Sequence, residues 1–169
     1  MKITEITAAG LRGATPKGGW TNELRPTDCN HTLVAVHTDE GLTGHGSAAT
    51  ADGVVKASLE MLSRFYVGES ALEPVRVSET LRENMFWFGR GGPMEHTISA
   101  IDIALWDLLG KAIGQPLYRL FGARYRDRVR PYASLLMDEP KKLREELTRI
   151  KEQGFHAFKI GWGPFGRHG

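Results

Sequence analysis

The apolar positions of the chain fall into three successive patterns. Up to about residue 47 they read as β structure: an early strand from Lys2 to Arg12, a second from Thr32 to Thr38 that is rich in β-branched residues, and a third from Leu42 to Ser47. Asp39-Glu40-Gly41 supplies turn chemistry between the last two and predicts a hairpin. Between the first two strands, Ala14 to Asn30 carries Pro16, Gly18, Gly19, Trp20 and Pro26. Loops of that length inside a compact domain are uncommon and often functional, so a lid is weighed against an excursion in which Trp20 packs on a neighbour.

Helical periodicity then takes over. Ala51 to Tyr66 sets Val55, Leu59, Leu62 and Tyr66 on one face. A second helix, from Pro74 to Phe88, begins with proline in its first turn, where the missing N–H would have had no helical partner. Gly89-Arg90-Gly91-Gly92-Pro93 breaks the chain before a third and clearest helix. There Ile98, Ile101, Leu105, Leu108 and Ala112 recur at steps of three and four, Asp107 stands four residues before Lys111, and Gly114 and Pro116 close it. Ile103, Ala104 and Leu109 widen its apolar stripe, so burial on more than one side is expected. A short turn, Leu117 to Phe121, ends on Gly122.

Past Ala123 the pattern changes again. Arg124, Arg126, Arg128 and Arg130 alternate with other residues, Asp127 among them, and a domain boundary is placed here, dividing residues 1–123 from residues 124–169. Tyr132 to Leu136 reads as a buried strand, Pro140 to Gln153 as an amphipathic helix on Leu143, Leu147 and Ile150, and Phe155 to Trp162 as a strand. Strand, helix, strand is a βαβ unit, which implies parallel pairing.

Composition narrows the classes of function. At 41% hydrophobic and 25% charged, the chain is an ordinary soluble globular protein and not a disordered or fibrous one. Its 22 Lys and Arg against 20 Asp and Glu leave +2, with both signs interspersed, which argues against nucleic acid or an anionic membrane as partner. The single cysteine, Cys29, cannot form an internal disulfide and reads as an inert thiol, so a reducing compartment is the default. Met1-Lys2-Ile3-Thr4-Glu5 turns polar at once, and no apolar run nears the roughly 18 residues of a membrane helix. A cytoplasmic protein is expected.

The last strand carries the best chemical candidate. Alternation puts Ala157, Lys159 and Gly161 on one face and Phe158, Ile160 and Trp162 on the other. In a β/α barrel the bulky face would meet the outer helices, and Lys159 would point inward near the strand's C-terminal end, where catalytic groups gather. Such a lysine can hold a substrate carboxylate or, desolvated, act as a base; the plain alternative is an edge lysine that guards a sheet against aggregation. Gly163-Pro164-Phe165-Gly166-Arg167 follows and offers backbone amides and the Arg167 guanidinium to a carboxylate. His37 and His45 lie on the two arms of the hairpin but have no third ligand at suitable spacing, and His96 reads as a solvated helix-start residue. Asp102 and Asp107, five apart on a helix, point in different directions and are read as a hydrogen-bonded aspartate and a surface partner of Lys111. No metal ligand set is assigned.

The stretch "ISAIDIALWDLLGKAIGQPLYRLFGA", Ile98 to Ala123, resembles the first signature of the mandelate racemase and muconate lactonizing enzyme branch of the enolase superfamily. The hairpin "VHTDEGLTGHGSA", Val36 to Ala48, resembles that family's N-terminal capping domain, and "GFHAFKIGWG", Gly154 to Gly163, its barrel strand with the K-x-K motif. The resemblance implies an α+β capping domain, with an N-terminal antiparallel sheet followed by a helical bundle, and then the first βαβ unit of a truncated β/α barrel. It implies Mg²⁺ as cofactor, a small carboxylate such as a sugar acid as substrate, a homo-oligomer, and abstraction of the proton beside the carboxylate to give a metal-stabilised enediolate.

Lys159 takes the place of the first lysine of K-x-K, while Gly161 stands where the second, usually the base, would be. That departure favours a dehydratase whose base lies on a later strand over a two-base racemase, and makes Lys159 a contact to the substrate carboxylate. Trp20 falls on the loop that resembles the mobile specificity loop, and Ala48 to Asp52 resembles the second such loop. The family takes its acidic metal ligands from the third, fourth and fifth barrel strands, whereas residues 124–169 supply only two strands of a barrel of about 250 residues. The chain by itself is therefore expected to be inactive and to hold no tight Mg²⁺. A naturally short, non-catalytic α+β module that binds a partner is the alternative.

Overall fold

The computed structural model describes residues 1–12 and 27–161. These fall into two compact units, residues 1–12 with 27–124, and residues 125–161. In the first unit, β1 (Ile3–Leu11), β2 (His31–Thr38) and β3 (Thr43–Ala48) form one antiparallel sheet in that order. The register sets Ile6 opposite Val36, Val36 opposite Gly44, and Val34 opposite Gly46. Cross-strand partners share a face, so Ile6, Val34, Val36, Gly44, Gly46 and Ala48 make the buried side. The hairpin turns at Gly41, whose φ of 80° favours glycine, and Thr38 Oγ1 closes it by donating to Leu42 O at 2.8 Å.

Four helices complete this unit: α1 (Asp52–Tyr66), α2 (Pro74–Asn84), α3 (Gly92–Ala112) and the one-turn α4 (Leu117–Leu120). Val55 and Leu62 of α1, Val77 and Leu81 of α2, and Ile98, Ile101, Leu105 and Leu108 of α3 are fully buried with Val34 and Val36. Each such side chain contributes roughly 1.5–3 kcal/mol. Four of the five periodic positions of the third helix, Ile98, Ile101, Leu105 and Leu108, thus form the core, with Ala104 beside them, whereas the fifth, Ala112, is exposed at the helix end and Ile103 is 49% exposed. The second helix is shorter than its pattern predicts. It stops at Asn84, and Phe86–Phe88 form a separate 3₁₀ turn after Met85, whose ψ of 11° leaves the helical range.

In the second unit, β4 (Ala133–Leu135) and β5 (Phe158–Ile160) pair in parallel through α5 (Pro140–Glu152), the predicted βαβ unit. The strands are shorter than expected. Ala133 alone among their residues is buried, and Tyr132 and Leu136 are exposed, contrary to the reading of a buried strand. Among the described residues no helix is long and apolar enough to cross a membrane.

Candidate functional site

Lys159 sits at the centre of β5, and the parallel register places it beside Ser134 of β4, while Ala133 pairs with Phe158 and Leu135 with Ile160. Register partners of a parallel pair share a face and lie one strand spacing apart, about 4.8 Å. Ser134 and Lys159 therefore occupy one side of the pair, and the apolar residues occupy the other. On the apolar side Leu143 and Leu147 of α5 line a groove of about 680 Å³ with Met137, Pro140 and Phe158. The lysine thus lies on the side away from the helix, as the alternation predicts. Its ammonium is exposed and has no ion-pair partner among the described residues. An ammonium next to a hydroxyl, both able to donate, is a fit for a carboxylate.

Ser134 does not stand out from the sequence as a partner of Lys159. Its signal was a lone polar residue inside an apolar strand, which acquires meaning only once the register with β5 is known. At Gly161, where the second lysine of the motif is replaced, a Cβ would meet no atom of the described residues within 4 Å. Packing among the described residues does not impose the glycine. Trp20, Arg167 and the segment from Gly163 to Gly166 lie outside the described residues.

The segment Ala48 to Asp52 is pinned from two sides in the first unit. Thr32 Oγ1 donates to Thr50 O at 2.8 Å, and His96 Nδ1 donates to Ala49 O at 3.2 Å. His96, exposed at the start of α3, is thereby tied to this segment. Asp52 accepts from Lys56 Nζ at 3.2 Å and Arg12 Nη2 at 3.3 Å. The hydrogen bond from Lys56, helped by the charge of Arg12, holds its carboxyl below the usual carboxylate range.

The two hairpin histidines serve different neighbours. His37 lies 2.9 Å from Thr7 Oγ1 and 3.3 Å from Thr43 Oγ1. His45 gives its backbone N–H to Asp107 at 2.8 Å, and its Nδ1 accepts from Lys111 Nζ at 3.1 Å. Lys111 in turn pairs with Asp107 at 2.6 Å. Burial pushes the Asp107 carboxyl up, but the bonds from Lys111 and from the His45 amide outweigh it and hold it low. Asp102 accepts from the buried Ser78 hydroxyl at 2.7 Å, as the hydrogen-bonded reading expects. Among the described residues no group of three or more His, Cys, Asp or Glu could hold a metal ion.

Residues 27–122 match the family described as mandelate racemase / muconate lactonizing enzyme, N-terminal domain. The chain belongs to this family. In the mandelate racemase and muconate lactonizing enzyme fold, the antiparallel sheet with its helices is the N-terminal domain, and the parallel unit is the start of the barrel. The chain is 33% identical over 95% of its length to a D-galactonate dehydratase of Pectobacterium atrosepticum, and 34% identical over 94% to a D-xylonate dehydratase of Haloferax volcanii. It spans 38% and 41% of the length of those two relatives. A solved enolase from Agrobacterium radiobacter, a galactarate dehydratase candidate bound to sodium and L-malate, superposes with a TM-score of 0.78 at 30% identity, over 95% of this chain and 38% of that one. The 3,6-anhydro-D-galactonate cycloisomerase of Zobellia galactanivorans gives 0.79 at 28% identity, over 95% and 42%. Magnesium is the metal of this superfamily, but the described residues do not assemble a set of ligands for it.

Proposed function

We propose that this chain is the capping domain and first βαβ unit of an acid-sugar dehydratase, and that Lys159, with Ser134 beside it, holds the carboxylate of the substrate. The observation that carries this reading is the shared face of Ser134 and Lys159 on a parallel pair, opposite the helix-covered side. Two relatives of similar sequence are named as dehydratases of sugar acids, which supports the substrate class. When the carbon beside a carboxylate loses its proton, negative charge grows on the carboxylate oxygens. An ammonium 4 Å away stabilises that charge by about 4 kcal/mol at an effective dielectric of 20. Departure of the neighbouring hydroxyl with a proton, as water, then yields an enol that becomes the 2-keto-3-deoxy acid.

Gly161 offers no base on this strand, so the proton goes to a base elsewhere, and one-sided abstraction fits dehydration better than racemisation. On this reading the chain alone neither turns over a sugar acid nor binds Mg²⁺ tightly. Joining it to the remaining barrel of the D-galactonate dehydratase of P. atrosepticum gives a direct test with a panel of sugar acids. The chimera is expected to dehydrate at least one of them, and Lys159→Met to lower kcat/KM by about 100-fold, as for loss of one charge-stabilising donor. Unchanged kinetics would remove Lys159 from the reaction. Turnover by the chain alone would overturn the predicted inactivity, and a folded but inactive chimera would favour the binding module.

A further inference from the structure

The face that carries Ser134 and Lys159 continues one step beyond them. The Gly161 N–H donates to Leu135 O at 3.2 Å, so the parallel pairing of β4 and β5 extends past the last paired residues. The next cross-strand neighbours are Leu136 and Gly161, and alternation returns both to the side of Ser134 and Lys159. Met137, one residue on, lines the groove against α5 on the opposite side, as the same alternation requires. From its N-terminal to its C-terminal end the face therefore carries Tyr132 with Ala157, then Ser134 with Lys159, then Leu136 with Gly161.

Leu136 is 37% exposed, next to a row made of an ammonium and a hydroxyl. Its neighbour Gly161 has an ordinary φ and no close contact among the described residues, unlike Gly44 and Gly46, which lie against helix carbonyls. A strand glycine without such a reason marks a place where a ligand or another backbone comes close. The distance from the lysine decides between the two. Two residues along a strand advance about 6.6 Å, and the five C–C bonds of a six-carbon acid, about 1.5 Å each in zigzag, cover about 6 Å. Toward the N-terminal end the way is taken by the Tyr132 ring, and the sites of β/α barrels open at the C-terminal end of the strands. An acid whose carboxylate rests on Lys159 and Ser134 thus lays its last carbons over Leu136 and Gly161, and leaves no room there for another stretch of chain.

We infer, on the reading of Lys159 and Ser134 as the carboxylate anchor, that Leu136 determines specificity at the far end of the sugar acid and selects a terminal methyl group over a terminal hydroxymethyl group. A branched apolar side chain gains by covering a methyl group, and it offers no partner to a hydroxyl that has given up water to reach it. Gly161 adds no polar side chain to the row, and its N–H is already engaged by Leu135 O. The favoured substrates are therefore 6-deoxyhexonates.

The chimera with the P. atrosepticum barrel carries the test, with kcat/KM measured for D-galactonate and for 6-deoxy-D-galactonate, which differ only in the terminal hydroxyl. The 6-deoxy acid is expected to be preferred by about 10- to 100-fold, the range in which an apolar pocket rejects an added hydroxyl. Leu136→Asn, of similar size, supplies a donor and an acceptor and should bring the two acids to within about threefold of each other. Leu136→Ala should lower kcat/KM for the 6-deoxy acid by about tenfold and for D-galactonate by less. Both acids meet the same population of folded enzyme, so their ratio is unaffected by any loss of folded protein. Lys159→Met should lower both acids by a similar factor and leave the ratio standing. Equal efficiency on the two acids in the parent chimera, or a preference that survives both Leu136 variants, would overturn the role of Leu136 while leaving Lys159 as the anchor. Unchanged kinetics in Lys159→Met would instead remove the anchor, and the selection by Leu136 with it.

Discussion

A methyl group at Gly46 would sit 2.1 Å from the carbonyl oxygen of Ala100, and one at Gly44 would sit 2.0 Å from that of Ala104. The helix backbone lies directly on the strand at these positions, and only glycine leaves room for it. Gly46→Ala should therefore cost about 1–3 kcal/mol or more, as overpacking a rigid contact does. Gly53, in the first turn of α1, has an ordinary φ, and a methyl group there would meet no atom of the described residues within 4 Å. Gly53→Ala should stabilise by about 0.5–1 kcal/mol. Urea denaturation of the two variants compares them, and similar midpoints would refute the close-contact account. Reading the sequence shows a strand from Leu42 to Ser47 but not why it alternates glycines, because the carbonyls that require them lie on a helix far along the chain. Lys159 was legible for the opposite reason: period-two alternation assigns its face without reference to any partner, whereas Ser134 needed the register between strands.

At the scale of elements, strand and helix positions were legible from periodicity, and their ends were less so. The third helix declares itself through Ile98, Ile101, Leu105 and Leu108, all of them buried, while α2 loses its last predicted turn to the Met85–Phe88 irregularity. The tie between the hairpin and α3 runs through Asp107, which accepts from Lys111 Nζ and from the His45 amide. Asp107 and Lys111 were paired from their spacing, but His45 joins them only in three dimensions. The carboxyl of Asp107 titrates lower in the folded chain than its usual value of 3.8. Its contribution to stability is thus complete above that value and is lost as pH falls through the lower, folded value. Asp107→Asn should lower stability at pH 7 and flatten the acid side of the pH–stability curve. Asp52 and Glu146 are also held low, so the difference between variant and parent curves is the informative quantity. A difference that is constant from about pH 7 to about pH 2 would contradict this role.

The distribution of burial over the whole molecule predicts unequal stability. Among the described residues, every fully buried large side chain belongs to residues 1–12 and 27–124, and α5 contributes none at all. Leu143, Leu147 and Ile150 do face one way, as their spacing predicts, but they are only half-buried, and Phe158 and Ile160 remain exposed beside them. Backbone hydrogen bonds in such a unit open with little cost in apolar burial, whereas those of α3 and β2 open only when the core comes apart. Hydrogen exchange at neutral pH should show amides of Val34, Val36, Ile101 and Leu105 protected to near the global limit. Amides of α5 and of the β4–β5 pair should exchange several orders of magnitude faster, at least about 10³-fold for a gap near 4 kcal/mol. Dilute protease should correspondingly cut within residues 125–161 first and leave a resistant product close to residues 1–124. Uniform protection across both units would mean that the parallel unit draws on a core beyond its own side chains. Selective loss of the added protection in a Leu147→Asp variant would then locate that core on the groove of α5.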